Sequence, residues 1–176
     1  MNTEELTTKM NNLIEVSHSI AKEKGWWDEP RDDRELLLLM QSEIAEALEE
    51  FRNHRKLDEV YYEGDKPAGI PIELADVVIR IADYCGSREV KFQESDLDPG
   101  TVGLSRFIPV LFFANYNLSN AFDKADYGKE YLGRAVKIIF DFYENEEYVM
   151  YDLWQAIDIK TAFNRTRPFR HGGKKA

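Results

Sequence analysis

The chain has 176 residues, of which 33 are acidic and 23 are basic, so its net charge is −10. This length predicts a single domain over residues 1–176, because domains commonly contain roughly 100 to 200 residues. The negative charge repels DNA and RNA over most of the surface, so we expect no nucleic-acid polymer as a partner.

The single cysteine, Cys85, excludes a disulfide framework within one chain and favours a reducing compartment, so we expect a cytoplasmic protein. The longest apolar stretch is 107–114, and Pro109 interrupts it. A membrane span needs about 20 apolar residues. The sequence therefore predicts no membrane anchor, and the acidic Glu4 and Glu5 argue against a secretory signal.

Glycine and proline are scarce, with 10 and 6 residues, and they separate long stretches whose apolar residues recur at spacings of three and four. This pattern predicts an all-α fold, and no strand is expected. Asn2 or Thr3 is expected to cap the first helix, Gly25 to end it, and Asp32 to open the second at capping-box spacing from Glu35. Six helices are expected, at about 3–24, 32–53, 71–85, 105–123, 129–144 and 148–166. Residues 54–70 and 95–103 are rich in turn-forming residues and are predicted to be loops.

Aromatic residues are concentrated in the second half of the chain, where ten of the 22 lie between 105 and 145. One small bundle need not bury that many, so one interpretation makes part of this region a subunit interface of a homodimer or homotetramer. The other interpretation places all of them in the core. The sequence leaves both open.

Acidic residues form a stripe on the second predicted helix. Glu43, Glu46 and Glu50 have spacings of three and four residues, so they share one face of the helix with Leu36 and Leu39. Glu43 is expected at the edge of the core face, where a carboxylate borders a cleft. That core face is predicted from five apolar residues, Leu37, Met40, Ile44, Leu48 and Phe51.

The third predicted helix repeats the arrangement, with Glu73 and Asp76 three residues apart and followed by Arg80 and Asp83. Mg²⁺ is commonly held by a few carboxylates while phosphates and waters complete its coordination. Two antiparallel helices can supply those oxygens. Acidic pairs at this spacing also occur on ordinary solvated helix faces, so the spacing alone leaves both interpretations open.

Other classes of catalytic site lack the residues they need. A di-iron carboxylate bundle usually takes Glu-x-x-His from two helices, whereas positions 46 and 76 hold a glutamate and an aspartate. The three histidines, His18, His54 and His171, lie far apart in the sequence without ligand spacing. Cys85 falls on a predicted apolar seam, where an inert thiol is expected.

Three segments together resemble one family. Residues 43–46 and 73–76 read Glu-x-x-Glu and Glu-x-x-Asp and are separated by 26 residues. They resemble the paired motifs of the MazG-like, all-alpha nucleoside triphosphate pyrophosphohydrolase superfamily, which includes dCTP-pyrophosphatase-like and dimeric dUTPase-like proteins. Residues 25–31, Gly-Trp-Trp-Asp-Glu-Pro-Arg, are similar to the entry segment of dCTP-pyrophosphatase-like members. Residues 160–168 resemble their closing Lys-x-x-x-Asn-Arg segment. The resemblance covers about residues 10–86 and 150–175.

The resemblance implies a four-helix-bundle-type core with additional helices. It also implies a Mg²⁺ site, with Mn²⁺ as a possible substitute, built from Glu43, Glu46, Glu73 and Asp76. One of these carboxylates is expected to orient or deprotonate the attacking water. The implied activity converts a ribo- or deoxyribonucleoside triphosphate to a monophosphate and pyrophosphate, and the implied role is to cleanse the nucleotide pool.

The resemblance also implies residues that bind the substrate. Lys160, Asn164 and Arg167 have helical spacing, so one face can present an ammonium, an amide and a guanidinium to the triphosphate and sugar. His18 and Trp27 occupy positions of base-pocket residues, although packing in the core and at a hinge explains them equally well.

A basic tail follows the last predicted helix. It begins at Arg165 and also contains Arg167 and Arg170, the densest positive charge in an acidic chain. We expect residues 165–176 to close over bound triphosphate as a lid, and the alternative is a frayed, solvated terminus.

The chain departs from the family pattern at two places. Arg80, which we also expect to bind the substrate, stands where dCTP-specific relatives carry an aromatic residue, so their base preference does not transfer. A helical segment at about 87–148 is inserted between the third helix and the Lys-Asn-Arg helix. Two other functions remain open: a phosphohydrolase that acts on a nucleoside diphosphate or an alarmone, and a non-catalytic helical module that senses nucleotides.

Overall fold

The structure, a computed structural model, describes residues 1–97, 106–122, 124–144, 149 and 151–173. The predicted all-α class is confirmed, because helices dominate and the only sheet within these residues is one two-stranded hairpin. The helices are α1 (Thr3–Glu23), α2 (Asp33–Arg52), α3 (Ile70–Ser87), α4 (Phe107–Ala121), α5 (Lys129–Tyr143) and α6 (Leu153–Thr166). Short 3₁₀ turns occupy Glu94–Leu97 and Ala125–Gly128, and a last helical turn occupies Arg170–Gly173.

Side-chain caps determine where three of these helices begin. The side chain of Asn2 accepts a hydrogen bond from the backbone N–H of Glu5, and Asp32 does the same for Arg34. Both caps agree with the sequence-based expectation. The last predicted helix begins later than expected, at Leu153 instead of 148, because Asp152 caps it by accepting from the N–H of Trp154.

The predicted loop at 54–70 contains a β-hairpin that the sequence analysis missed. Strands β1 (Tyr61–Glu63) and β2 (Lys66–Ala68) pair antiparallel, with Tyr61 opposite Ala68. Three residues are too few to produce a recognisable alternation. The hairpin leads directly into α3 through Gly69, whose φ of 114° requires glycine and whose Cα lies against the carbonyl of Glu59.

Helix α3 lies at the centre of the part of the molecule that surrounds the acidic residues. It packs against α1, α2 and α6, and twelve of its sixteen residues between 70 and 85 are buried. Helices α4 and α5 pack against each other, and α4 also contacts α2. The buried apolar residues form one contiguous cluster that runs from Leu6 to Ile157. None of the described helices is long and apolar enough to cross a membrane.

The outer face of α2 and the aromatic region differ in part from the expectation. Leu48 and Phe51 were predicted in the core, but each is 38% exposed, and the Phe51 ring packs on that of Phe107 at the edge of α4. The interpretation that places all of these aromatic residues in the core is wrong, and the interpretation of part of the region as a subunit interface stays a prediction. Phe107, Phe140, Phe142 and Tyr143 are buried, whereas Phe112, Phe113, Tyr116, Phe122 and Tyr127 are exposed.

Candidate active site

A cavity of about 380 Å³ lies among α1, α2, α3 and α6. The loop between α1 and α2 and the C-terminal turn close one side of it. Its wall combines carboxylates with cationic, hydroxyl and apolar side chains. The principal lining residues are Ser17, Ile20, Trp26, Arg31, Leu39, Glu43, Glu46, Asp76, Arg80, Asp83, Thr161, Asn164, Arg167 and His171.

Three of the four predicted metal ligands lie together. Carboxylate oxygens of Glu43, Glu73 and Asp76 all lie within 4.8 Å of one another. Glu43 and Glu73 are buried and Asp76 is half-buried, because their helices α2 and α3 pack face to face. The fourth, Glu46, lies one helical turn from Glu43 on the same stripe, is exposed and lines the cavity, but is not part of this tight group.

Two basic side chains offset part of the charge of the acidic cluster. The Nε atom of Arg80 donates to Oε1 of Glu43 at 2.8 Å, and its Nη2 atom lies 2.7 Å from the same oxygen. The Nζ atom of Lys160 lies 2.8 Å from Oδ2 of Asp76, and Lys160 is only 2% exposed. Buried charges persist in proteins when they are paired in this way. Lys160 and Arg80, both predicted as substrate-binding residues, therefore bind the carboxylates directly.

The environment of the acidic cluster disfavours its negative charge. Burial raises the pKa of Glu73 to about 7, against the opposing effect of Lys160 and with further contributions from Asp76, Glu46 and Glu43. Burial also raises the pKa of Glu43, although the neighbouring Arg80 opposes this shift. Two buried carboxyl groups with raised pKa values lie next to a third acid, and an added cation would offset the negative charge that burial disfavours.

Not all of the α6 residues that were predicted to bind the substrate line the cavity. Asn164 and Arg167 line the cavity, whereas Arg165 is exposed on another face and does not. Thr161 also lines the cavity and was missed by the sequence analysis. Burial lowers the pKa of Arg167, which indicates that its guanidinium is partly withdrawn from water.

Several buried polar atoms in the cavity wall have no hydrogen-bond partner among the described residues. They are Ser17 Oγ, Arg31 Nε, Thr161 Oγ1 and Asn164 Oδ1. Buried polar groups are normally satisfied, so a group of unpaired atoms around one cavity indicates a surface that is completed by a polar ligand.

The predicted base-pocket residues do not line the cavity. His18 Nδ1 and Trp27 Nε1 both donate to Oδ1 of Asp83, at 2.9 and 2.8 Å, and it is Asp83 that lines the cavity. The neighbouring indole, Trp26, lines the cavity where Trp27 was expected. Asp83 follows Asp76 by seven residues, which places both on one face of α3, and this spacing is the signal that could have identified it.

The C-terminal turn is packed against the loop between α1 and α2. The backbone N–H of Arg170 donates to the carbonyl of Lys24 at 2.9 Å, and its Nε donates to the carbonyl of Gly25 at 3.1 Å. The ring of Phe169 occupies the space next to Gly25 that a Cβ would need. The His171 ring meets Trp26 edge-on at 5.0 Å and lines the cavity. The described part of the tail is therefore not a frayed terminus, and its action as a lid stays a prediction.

Comparisons with known proteins add no family to this geometry. Among protein-family models, curated proteins and solved structures, none matches this chain.

Proposed function

We propose that this protein is a Mg²⁺-dependent nucleoside triphosphate pyrophosphohydrolase that releases pyrophosphate and a nucleoside monophosphate. The observation that carries the proposal is the group of Glu43, Glu73 and Asp76, whose oxygens lie within 4.8 Å of one another at a polar cavity. The three motifs that resemble the MazG-like superfamily support the same activity.

The donor set fits a hard divalent cation. It contains oxygen atoms and no sulfur or imidazole, which favours Mg²⁺ or Mn²⁺ over softer metals. Glu43, Glu73 and Asp76 would hold the ion, and Glu46 at the cavity wall would complete the set. A bound divalent cation supplies positive charge to phosphate oxygens and makes water more acidic. The raised pKa values of Glu43 and Glu73 support this assignment, because a cation offsets the charge that burial disfavours.

Other side chains of the protein bind the substrate, activate water and balance the charge of the acids. Arg167 and Arg31 also line the cavity and can bind the phosphate oxygens, with which guanidinium groups make paired hydrogen bonds. Glu46 is the most exposed of the four acids, so its carboxylate is best placed to orient water and accept its proton. Lys160 stays at Asp76 and limits the repulsion among the carboxylates.

The proposal also includes the fold family, the cellular location, the biological role and the oligomeric state expected from the sequence. Helices α1, α2, α3 and α6 form the MazG-like four-helix core, and the protein acts in the cytoplasm to remove non-standard or surplus nucleotides. Exposed aromatic residues on α4, among them Phe112 and Tyr116, support a homodimer or homotetramer through that face.

The test is an assay of pyrophosphate release from a panel of ribo- and deoxyribonucleoside triphosphates. With Mg²⁺ we expect at least one nucleotide to yield pyrophosphate and monophosphate, with Mn²⁺ as a working substitute and no release in excess EDTA. Orthophosphate as the first product would move the activity to a phosphohydrolase. Tight nucleotide binding without any product would identify a sensing module.

A further inference from the structure

A second carboxylate, that of Asp83, lies in the same cavity at a distance from the acidic cluster. Asp76 and Asp83 both line the cavity and are separated by seven residues of α3, about two helical turns. At a rise of 1.5 Å per residue, the two positions are roughly 10 Å apart along the helix. A nucleotide whose phosphates lie at the acidic cluster therefore has room for its sugar and base in the direction of Asp83.

The orientation of the Asp83 carboxylate is fixed by two donors from one side. His18 Nδ1 and Trp27 Nε1 both donate to the same oxygen, Oδ1. A carboxylate only accepts, so Nδ1 of His18 carries the hydrogen. The His18 and Trp27 rings meet edge-on at 5.4 Å, and the His18 Cβ packs against Gly86. The carboxylate is thus held in place, and its second oxygen, Oδ2, is the one left for a ligand.

Two unpaired polar atoms lie in the wall of the same cavity. Ser17 precedes His18 on α1, is only 4% exposed, and its hydroxyl has no partner among the described residues although it lines the cavity. The buried Oδ1 of Asn164 is unpaired in the same wall. These atoms indicate a ligand with hydrogen-bonding groups along its edge, as a nucleobase has, rather than an apolar ligand.

We propose that Asp83 is the residue that selects the base, and that it selects a base with an exocyclic amino group. This inference rests on the proposed function, since it takes the cavity to hold a nucleotide. Oδ2 accepts a hydrogen bond from the amino group of such a base. An oxo group at the same position, as in uracil, places two acceptors against each other with no hydrogen between them. The cytosine nucleotide therefore binds more tightly than the uracil nucleotide.

The replacement Asp83→Asn tests this assignment sharply. The two donors of His18 and Trp27 hold the amide with its oxygen at the position of Oδ1, because only the oxygen can accept from them. The amide NH₂ then takes the place of Oδ2 and turns an acceptor into a donor. We therefore expect the preference to reverse in favour of uracil.

The experiment is calorimetric titration with the α,β-imido analogues of dCTP and dUTP in Mg²⁺, which measures binding without turnover. We expect the wild type to bind the dCTP analogue roughly 10-fold or more tightly than the dUTP analogue, and Asp83→Asn to invert that order. Asp65→Asn, at the exposed turn of the hairpin, is the matched control and should keep the wild-type ratio.

Three results would overturn the inference, and one of them also concerns the proposed function. Equal wild-type affinity for both analogues, or an unchanged ratio in Asp83→Asn, removes Asp83 as the selecting residue while nucleotide binding stands. Failure of the wild type to bind either analogue contradicts both the inference and the proposed function. If Asp83→Asn does not fold, Trp27→Phe serves instead: it removes one of the two donors and should weaken the discrimination without reversing it.

Discussion

The two ends of the cavity hold their carboxylates in opposite ways. At one end Glu43, Glu73 and Asp76 crowd together, and two cations, Arg80 and Lys160, form ion pairs with two of these three acids. At the other end Asp83 stands apart and receives two hydrogen bonds from His18 and Trp27. The crowded end has more acids than these ion pairs neutralise, so it suits a metal ion. The carboxylate of Asp83 already accepts two hydrogen bonds on one side, so its other side suits recognition of a ligand.

The largest expected effect comes from removing the charge of Glu46, which lines the cavity one helical turn from Glu43. Glu46→Gln should lower turnover by roughly 100-fold or more while the thermal midpoint stays unchanged, because the amide keeps the shape and loses the charge. Glu49→Gln, an exposed position of the same helix whose carboxylate pairs with Arg52, is the control. Undiminished turnover in Glu46→Gln would remove that residue from the catalytic set. Steady-state kinetics and thermal melts make the comparison.

Asp76→Asn should differ from Glu46→Gln in its effect on stability. Both variants should lose turnover, but Asp76→Asn also leaves the buried ammonium of Lys160 without its partner. Removing one member of a buried ion pair costs about 3 to 5 kcal/mol. Chemical denaturation should therefore show a clear loss of unfolding free energy. A variant as stable as the wild type would mean that the Lys160–Asp76 pair contributes little to the fold.

The metal-free protein should lose stability as the pH rises, because of Glu73. Its folded pKa of about 7 lies above the ordinary value of 4.5, so its contribution is fully present below pH 4.5 and lost as the pH rises through 7. One pKa unit corresponds to about 1.4 kcal/mol, so the change amounts to roughly 3 kcal/mol and several degrees in thermal midpoint.

Melts of the wild type and Glu73→Gln between pH 4 and 8 in EDTA isolate this effect. The difference between the two curves should grow as the pH rises, since glutamine does not titrate. Added Mg²⁺ should reduce the loss in the wild type, because binding to the folded state stabilises it. Parallel curves for the two proteins would show that the pKa of Glu73 is the same in the folded and unfolded states.

A smaller effect is expected at the side of the cavity that the C-terminal turn closes. Deleting residues 169–176 removes the contacts of Arg170 with Lys24 and Gly25 and takes His171 out of the wall. We expect KM for the nucleotide to rise about fivefold, equivalent to roughly 1 kcal/mol. The rise should shrink at high salt if the tail captures phosphate by charge. An unchanged KM at two salt concentrations would end the lid hypothesis.

The smallest effect is expected from Gly25→Ala. The new Cβ clashes with the ring of Phe169, and φ of 78° costs a non-glycine residue about 1 kcal/mol. Gly64→Ala is a matched control, because Gly64 has a φ of 61° and open space around it. The difference between the two variants in thermal midpoint and KM measures the Phe169 contact alone. Equal effects would mean that this contact does not hold the tail.

The sequence predicted the helices well because their signals are local. Capping by Asn2 and Asp32 and apolar spacing act within one helix, and the structure agrees with both. The hairpin was missed because three-residue strands carry no periodicity. Leu48 and Phe51 were misplaced because helical spacing gives a direction but not the extent of the neighbouring surface.

The candidate site was predictable only in part, because sequence spacing gives directions within one helix but not the packing between helices. The resemblance to the paired MazG-like motifs, and not the spacing alone, predicted that Glu43, Glu73 and Asp76 share one site, and the structure brings these three together. Ser17 and Trp26 were missed because their position depends on how α1 packs against α3 and where the following loop turns. Sequence spacing also could not show that His18 and Trp27 contact Asp83 instead of the cavity itself.

The most direct test of the central claim is a ³¹P NMR time course of the best nucleotide substrate with Mg²⁺ and the wild-type protein. The proposed activity predicts that monophosphate and pyrophosphate appear in equal amounts from the first time point. No signal should change with Glu46→Gln over the same period. Early appearance of a nucleoside diphosphate with orthophosphate, or equal rates in the two proteins, would contradict it.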